Sequence, residues 1–367
     1  MFGQQANRYL SFTQGFQQYT DHINTLPLRE TLNGEEQFYQ IGFSFSGATI
    51  SAIMVEDTEY EFLHIDGFGK MGQVGAPALP AHREVIAMPP GSVGDIVITG
   101  AEYYEYDGFR IHPALEPARD TYGSPEPEFW ADPAVYGNNA FFPEKTVEIT
   151  NIMLLRGTPL ALTEIRPVQF NPVTGKVRVY TSISFRIEYK GASQSFSAIA
   201  DGNSLHFTNL LKRNVINSDN IPDGMTRGDS KAGEKEYIII THSQYINEAN
   251  QLANWKRQLG YSVEVVSQSS WTAAQVKTAI ETRYDSWNPK PDYFLIIGDH
   301  TGSYAVPGEI HQDPSYGDDF ATDLYFACMD GGTDWHPDMA HGRISVSSVA
   351  EAQVVVNKII NYEKTPP

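Results

Sequence analysis

The chain has 367 residues, 41% hydrophobic and 12% aromatic, enough for two domains with sizeable cores. Its formal net charge of −19 argues against a nucleic-acid partner, because phosphate binding needs basic patches. No apolar run approaches the roughly 20 residues that cross a bilayer, and the one cysteine, Cys328, excludes an internal disulfide framework.

Up to about residue 200 the chain is a series of short alternating segments bounded by Gly, Pro and Asp. "QFYQIGFSFSG", "TISAIMVE", "GDIVITGAEYYEY", "KTVEITNIMLL" and "KVRVYTSISFRIEY" each read as strands. In the last, Val177, Val179, Thr181, Ile183, Phe185, Ile187 and Tyr189 alternate with polar residues and Tyr180, so one face is buried. Phe170–Val177 reads as a hairpin loop, with Pro172 pre-setting φ and Gly175 supplying a positive φ. Helical periodicity is nearly absent, and this half is expected to be an all-β sandwich or barrel. A polar connector, residues 206–234, follows and reads as an exposed linker. Its Arg213, Arg227 and Lys231 would be open to a trypsin-like or self-cleaving protease.

From Tyr237 the pattern changes. "YIIIT" suits a strand covered on both faces. A helix follows with Ile246, Ala249, Leu252, Ala253 and Leu259 on one stripe and Gly260 as its stop. "YSVEVVS" is a second strand, and a second helix starts from Thr272 as N-cap with Val276, Ala279, Ile280 and Tyr284 at helical spacing. "DYFLIIGD" is a third strand and "TDLYFACMD" is expected to be the fourth. "GRISVSS" is a short extended piece, and "VAEAQVVVNKIINYEKT" is the final helix. This alternation predicts right-handed crossovers and a doubly wound, mainly parallel sheet, with Asp299 and Asp330 at carboxyl ends of strands.

The chemistry concentrates between Pro291 and Gly342, which hold ten Asp and Glu and no Lys or Arg. Such a run is a solvated acidic surface unless a cation or a partner neutralises part of it. No G-x-G-x-x-G follows Tyr237, and neither a Walker loop nor H-E-x-x-H occurs, so nucleotide binding and zincin chemistry lack support. Cys328 sits in an apolar, acidic neighbourhood that disfavours a thiolate, so it reads as a core residue. Asp330, Asp334 and Asp338 offer hard oxygen ligands at four-residue intervals beside Gly331 and Gly332, which suits calcium. Asp299 and a carbonyl within Trp335–His336 are expected to complete the shell. His336 and His341 leave zinc as a weaker alternative, and an acidic turn without a metal as a third.

Several of these pieces together resemble the gingipain family of secreted bacterial cysteine endopeptidases. They are "YIIIT", "LANWKRQLGYSVEVV", "YFLIIGD", "ATDLYFACMDG" and "AEAQVVVNKIINYEK", which span Tyr237 to Lys364. In the first half "GAPALP", "IAMPPG" and "RPVQFNPVTGKVRVY" resemble that family's β-rich propeptide. The resemblance implies a propeptide-like domain at 1–205, a linker at 206–234 with candidate cleavage after Arg227 or Lys231, and part of a caspase-like α/β peptidase domain at 235–367. It also implies calcium on Asp299, Asp330, Asp334, the carbonyl of His336, and Asp338. The family's catalytic His and Cys fall beyond the helix ending "YEKTPP", so neither His341 nor Cys328 is expected to be catalytic and the chain alone is expected to be inactive. Its expected partners are its own C-terminal peptidase half and, for the whole enzyme, polypeptide substrates. Its expected location is outside the cell, secreted or on the cell surface, with a signal peptide removed. A second reading is a non-catalytic binding or secretion-associated module of the same fold. Arg110, Arg119 and Lys145 are candidates for the propeptide residue that blocks the cleft.

Overall fold

A computed structural model describes residues 8–18, 26–34, 37–118, 123–226, 236–312, 319–332 and 334–366. Arg119, Arg227 and Lys231 lie outside these residues.

The first half is built of strands in three sheets around one core. The first sheet is β1 (Arg8–Ser11), β2 (Gly15–Gln18), β5 (Gly47–Val55) and β6 (Thr58–His64), in the order β2-β1-β5-β6. The second contains β7 (Gly69–Lys70), β8 (Pro80–Ala87), β10 (Val147–Leu155) and β11 (Thr158–Ile165), ordered β10-β11-β8-β7. The third contains β3 (Leu28–Gly34), β4 (Phe38–Ser44), β9 (Val93–Tyr106), β12 (Val168–Asn171) and β13 (Lys176–Lys190). A four-residue helix, α1, covers Pro133–Tyr136. All five expected strands form.

The fifteen-residue β13 organises its sheet. It pairs with β9 along nearly its whole length on one edge, and with β12 and then β4 on the other. Val177, Val179, Ile183, Phe185 and Ile187 point into the core as the alternation predicts. Thr181 does not, because the β9 register shifts between Tyr180 and Ser182 and leaves it as the extra residue of a bulge. The Phe170–Val177 turn forms as expected, with Asn171 Oδ1 accepting from the N–H groups of Val173 and Thr174 and Gly175 at φ 66°. The core joins all three sheets through residues such as Leu10, Ile41, Ile50, Ile86, Ile165 and Phe185.

The connector is more ordered than its composition suggests. Helix α2 (Leu205–Asn214) starts at Ser204, whose hydroxyl accepts from the Phe207 N–H. Phe207 and Leu211 pack with Phe196, Ile199 and Ile221 onto Ala87 and Leu160 of the β-rich half. Residues 206–221 are therefore not an exposed linker, since sparse apolar residues at helical spacing bury one face of α2.

The second half is a parallel sheet of β14 (Tyr237–His242), β15 (Val263–Gln268), β16 (Tyr293–Ile297) and β19 (Ala340–Ile344), in the order β15-β14-β16-β19. Ile238 and Ile240 face α4 (Ala273–Ser286), while Ile239 faces α3 (Ile246–Gln258) and α6 (Val349–Lys364). Helices thus cover both faces, which explains the unbroken apolar run. Within α3, Ala249, Leu252 and Ala253 are buried, but Leu259 at its end is exposed. Thr272 and Gln275 close a capping box at the start of α4. A separate hairpin of β17 (Glu309–Gln312) and β18 (Asp319–Thr322) stands in the acidic stretch.

The expected fourth strand does not form over "TDLYFACMD". Leu324–Ala327 is instead a one-turn helix, α5, and "GRISVSS" contributes to β19. Two cations hold that turn: Arg343 pairs with both oxygens of Asp323 at its start, and Lys277 donates to the carbonyls of Tyr325 and Cys328 at its end.

Candidate functional site

The three aspartates predicted as ligands come together. Asp330, Asp334 and Asp338 each offer a carboxylate oxygen, and these lie within 4.8 Å of one another. The loop folds on its own backbone: Asp334 accepts from the N–H of Asp330 at 3.2 Å and of His336 at 2.8 Å, and Asp338 accepts from Met329 at 2.6 Å. His336 approaches Asp334 through Nδ1 at 3.5 Å. Burial pushes the Asp338 carboxyl up to about 6, with the Asp330 charge adding to the effect and two backbone N–H groups opposing it. Burial likewise raises Asp330. Two negative charges held close in a dry setting favour any positive group that can reach them.

Asp299 does not join them. β16 and β19 run in parallel, with Tyr293 opposite Ala340 and Ile297 opposite Ile344. Asp338 precedes β19 and Asp299 follows β16, so they lie at opposite ends of the sheet, and five strand residues span roughly 16 Å. Asp299 Oδ1 instead accepts from the His300 N–H at 2.7 Å. The expected shell of Asp299 with Asp330 is thus corrected: Asp330 follows a helical turn, not a strand, and its loop folds back to the amino end of the sheet.

The group that does reach the cluster comes from the β-rich half. β10 and β11 are joined by a two-residue turn, Arg156–Gly157, closed by the pair Leu155 and Thr158. Both turn residues have positive φ, 50° and 72°, as a type I′ hairpin requires. The Arg156 N–H donates to Asp338 Oδ1 at 2.5 Å and the Gly157 N–H to Asp330 Oδ2 at 3.0 Å. The Arg156 guanidinium is buried, with the side chain 1% exposed. It donates to the carbonyls of Asp338 at 2.8 Å and Pro291 at 2.7 Å, and to Asn203 Oδ1 at 3.3 Å. It pairs with Asp292, 5% exposed, at 3.3 Å. Its Cζ lies 4.2 Å from the Phe207 ring centre and 5.8 Å from that of Tyr284. The Asp292 carboxylate also accepts from the Ser204 hydroxyl that caps α2.

Arg156 was not among the sequence candidates for a contact between the halves. The signal was present as "LLRGTPL", a two-residue X-Gly loop between two strands. Among the described residues Arg110 and Lys145 make no such contact: Arg110 lies over the Tyr60 ring and Lys145 pairs with Glu148, all within the β-rich half.

Cys328 is buried at the end of α5, and burial, followed by the charge of Asp334, pushes its thiol up to about 11. His341 lies within β19, its ring stacked on Phe294. The donor set at Asp330, Asp334 and Asp338 is all oxygen, and each carboxylate oxygen that accepts one N–H keeps a second lone pair. That chemistry fits a hard cation better than zinc.

The architecture is that of a β-rich unit joined to an α/β unit by the Arg156–Gly157 tip and by the start of α2, where Ser204 donates to Asp292 and His206 meets Tyr293 at 2.9 Å. Comparison with known sequences gives the two units their family. Residues 18–220, more than half of the chain, match the C25 propeptide, and residues 230–367 match Peptidase family C25. The chain belongs to the C25 family, as its propeptide and the N-terminal part of its peptidase domain. Lys-gingipain of Porphyromonas gingivalis is 23% identical over 347 residues, 91% of this chain and 19% of that protein. Gingipain R1 is 26% identical over 62% of this chain and 22% of its own length, and gingipain R2 is 23% identical over 80% and 39%. The chain thus spans about a fifth to two fifths of these curated relatives. A solved complex of pro- and mature domains of RgpB from the same organism overlays on 52% of the chain with a TM-score of 0.46 and 17% identity.

Proposed function

We propose that the chain is the latent part of a gingipain-like cysteine endopeptidase, in which the β-rich propeptide is held on the peptidase domain and keeps it inactive. The observation that carries this is the seat of the Arg156–Gly157 tip on Asp330 and Asp338, which joins the two family segments by a buried contact. The peptidase sheet, with helices on both faces, is consistent with a caspase-like domain. Neither Cys328 nor His341 performs the chemistry on this reading, and the chain alone hydrolyses no peptide. Turnover of peptide substrates that is lost in Cys328→Ala would contradict it. Processing is expected in the connector, at Arg227 or Lys231. The enzyme is taken to work outside the cell, and no helix among the described residues is long and apolar enough to cross a membrane.

Asp330, Asp334 and Asp338 are proposed to hold calcium, with the carbonyl of His336 as a further ligand and Asp299 left out. A bound ion would neutralise the like charges and cross-link the loop between α5 and β19. Adding calcium to metal-free chain should raise its melting temperature, and Asp334→Asn should abolish the rise. If a chelator leaves the melting temperature unchanged, the loop is an acidic turn only.

A further inference from the structure

We propose that Arg156 is the latch of the propeptide: this arginine on the β10–β11 tip is the main anchor among the contacts between the propeptide and the peptidase segment, which also include Tyr293 with His206 at 2.9 Å and the Lys290 N–H on the Gly202 carbonyl at 2.8 Å. The proposal rests on the reading that these two units are separable, and adds which contact holds them.

Three observations converge on this residue. Arg156 holds a left-handed backbone, φ 50°, at the first position of a type I′ turn. Asn, Asp or Gly would sit there with less strain, because the left-handed region disfavours a long L side chain. The structure keeps an arginine there and uses its side chain fully. Across the boundary it meets the carbonyls of Asp338 and Pro291, the Asp292 carboxylate and the Tyr284 ring, while Asn203 and Phe207 close the socket from its own side. A planar fork with five donors fits such a ring of acceptors, and a lysine ammonium does not. The backbone takes part as well, since the turn's two N–H groups end on Asp338 and Asp330. Removal of Arg156 would leave Asp292 and Asp338 buried with fewer partners, which is how arginine hot spots draw their energy.

The contact lies at the amino end of the sheet, beside Pro291 and before Ala340. Ligands of doubly wound sheets bind beyond the carboxyl ends of the strands. The Arg156 contact instead uses the amino end of the sheet.

The test uses the full chain with a site-specific protease sequence in place of residues 227–235. After cutting, the two fragments are followed by gel filtration and by competition with labelled propeptide fragment. The wild-type fragments should co-elute. Arg156→Ala should weaken their association by about 30-fold or more, and Arg156→Lys should restore only part of it. Asp292→Asn, on the other side of the boundary, should weaken it by about tenfold and gives the answer if Arg156→Ala fails to fold. Wild-type fragments that separate, or variants within about threefold of wild type, would overturn the latch. Propeptide inhibition of a mature peptidase can survive that result, so the two readings fail separately.

Discussion

At the scale of single residues, charge and burial decide roles that residue types alone leave open. Cys328 with two nearby histidines has the composition of a cysteine-peptidase site, yet its thiol is buried in a field of aspartates and pushed up to about 11. In native chain it should react with a neutral thiol reagent at pH 7 far more slowly than in urea, since the thiolate is the reactive form. Equal rates would show that Cys328 is exposed. His64 and His112 in the β-rich half are held below the ordinary histidine range. Burial lowers both, and Lys70, whose ammonium sits over Phe62, lowers them further, while a Pro113 carbonyl partly opposes this at His112. A histidine whose folded value is depressed is stable when neutral, so its contribution is present above the ordinary value near 6.5 and is lost as pH falls below it. A His64→Gln, His112→Gln double variant should lose less melting temperature than wild type between pH 7 and pH 5. The comparison with wild type is what reads the effect, because Asp338, pushed up to about 6 by burial, and His82, raised by its hydrogen bond to Glu84, gain stability over the same range. The aspartate ladder was legible from its spacing. Arg156 was not, because a lone arginine in a turn reads as solvated charge until the fold brings Asp292 and Asp338 to it.

At the scale of elements, periodicity served where a segment is covered on a regular pattern. The alternation in β13, the apolar run of β14 and the Thr272 N-cap of α4 all read through to the structure. "LYFACM" did not, because a short apolar run fits a buried strand and a buried turn of helix equally well. The choice was made by Lys277, far off in sequence, which donates to the carbonyls of Tyr325 and Cys328 at 3.0 and 2.6 Å. Lys277→Met keeps the apolar stem and removes both bonds. It should destabilise the chain by about 1–3 kcal/mol in urea unfolding. A variant as stable as wild type would mean that α5 holds its own ends. The connector escaped for a related reason: Phe207 and Leu211 are few among many polar residues, and only the back of β8 and β11 shows what they cover.

At the scale of the whole molecule, two units with their own cores meet through a contact centred on the buried Arg156–Asp292 pair. The β-rich half closes its core without help from the other, and the α/β half covers both faces of its sheet. Two cores were legible from the change of period near residue 237. Which end of the sheet receives the propeptide was not, since it depends on the loop after α5 folding back to the amino ends of the strands. Asp299 sits at the carboxyl ends and is free of this contact. That division gives the molecule a holding surface built on Asp292, Asp330 and Asp338, and leaves the opposite end of the sheet to other uses.

The central claim is that the β-rich unit is an inhibitory propeptide of a C25 peptidase. The most direct measurement is the activity of a mature C25 peptidase titrated with the isolated unit, residues 1–226. Dose-dependent inhibition that is relieved when the unit is unfolded by acid is the predicted result. Full activity at every concentration, with the unit shown to be folded, would contradict it.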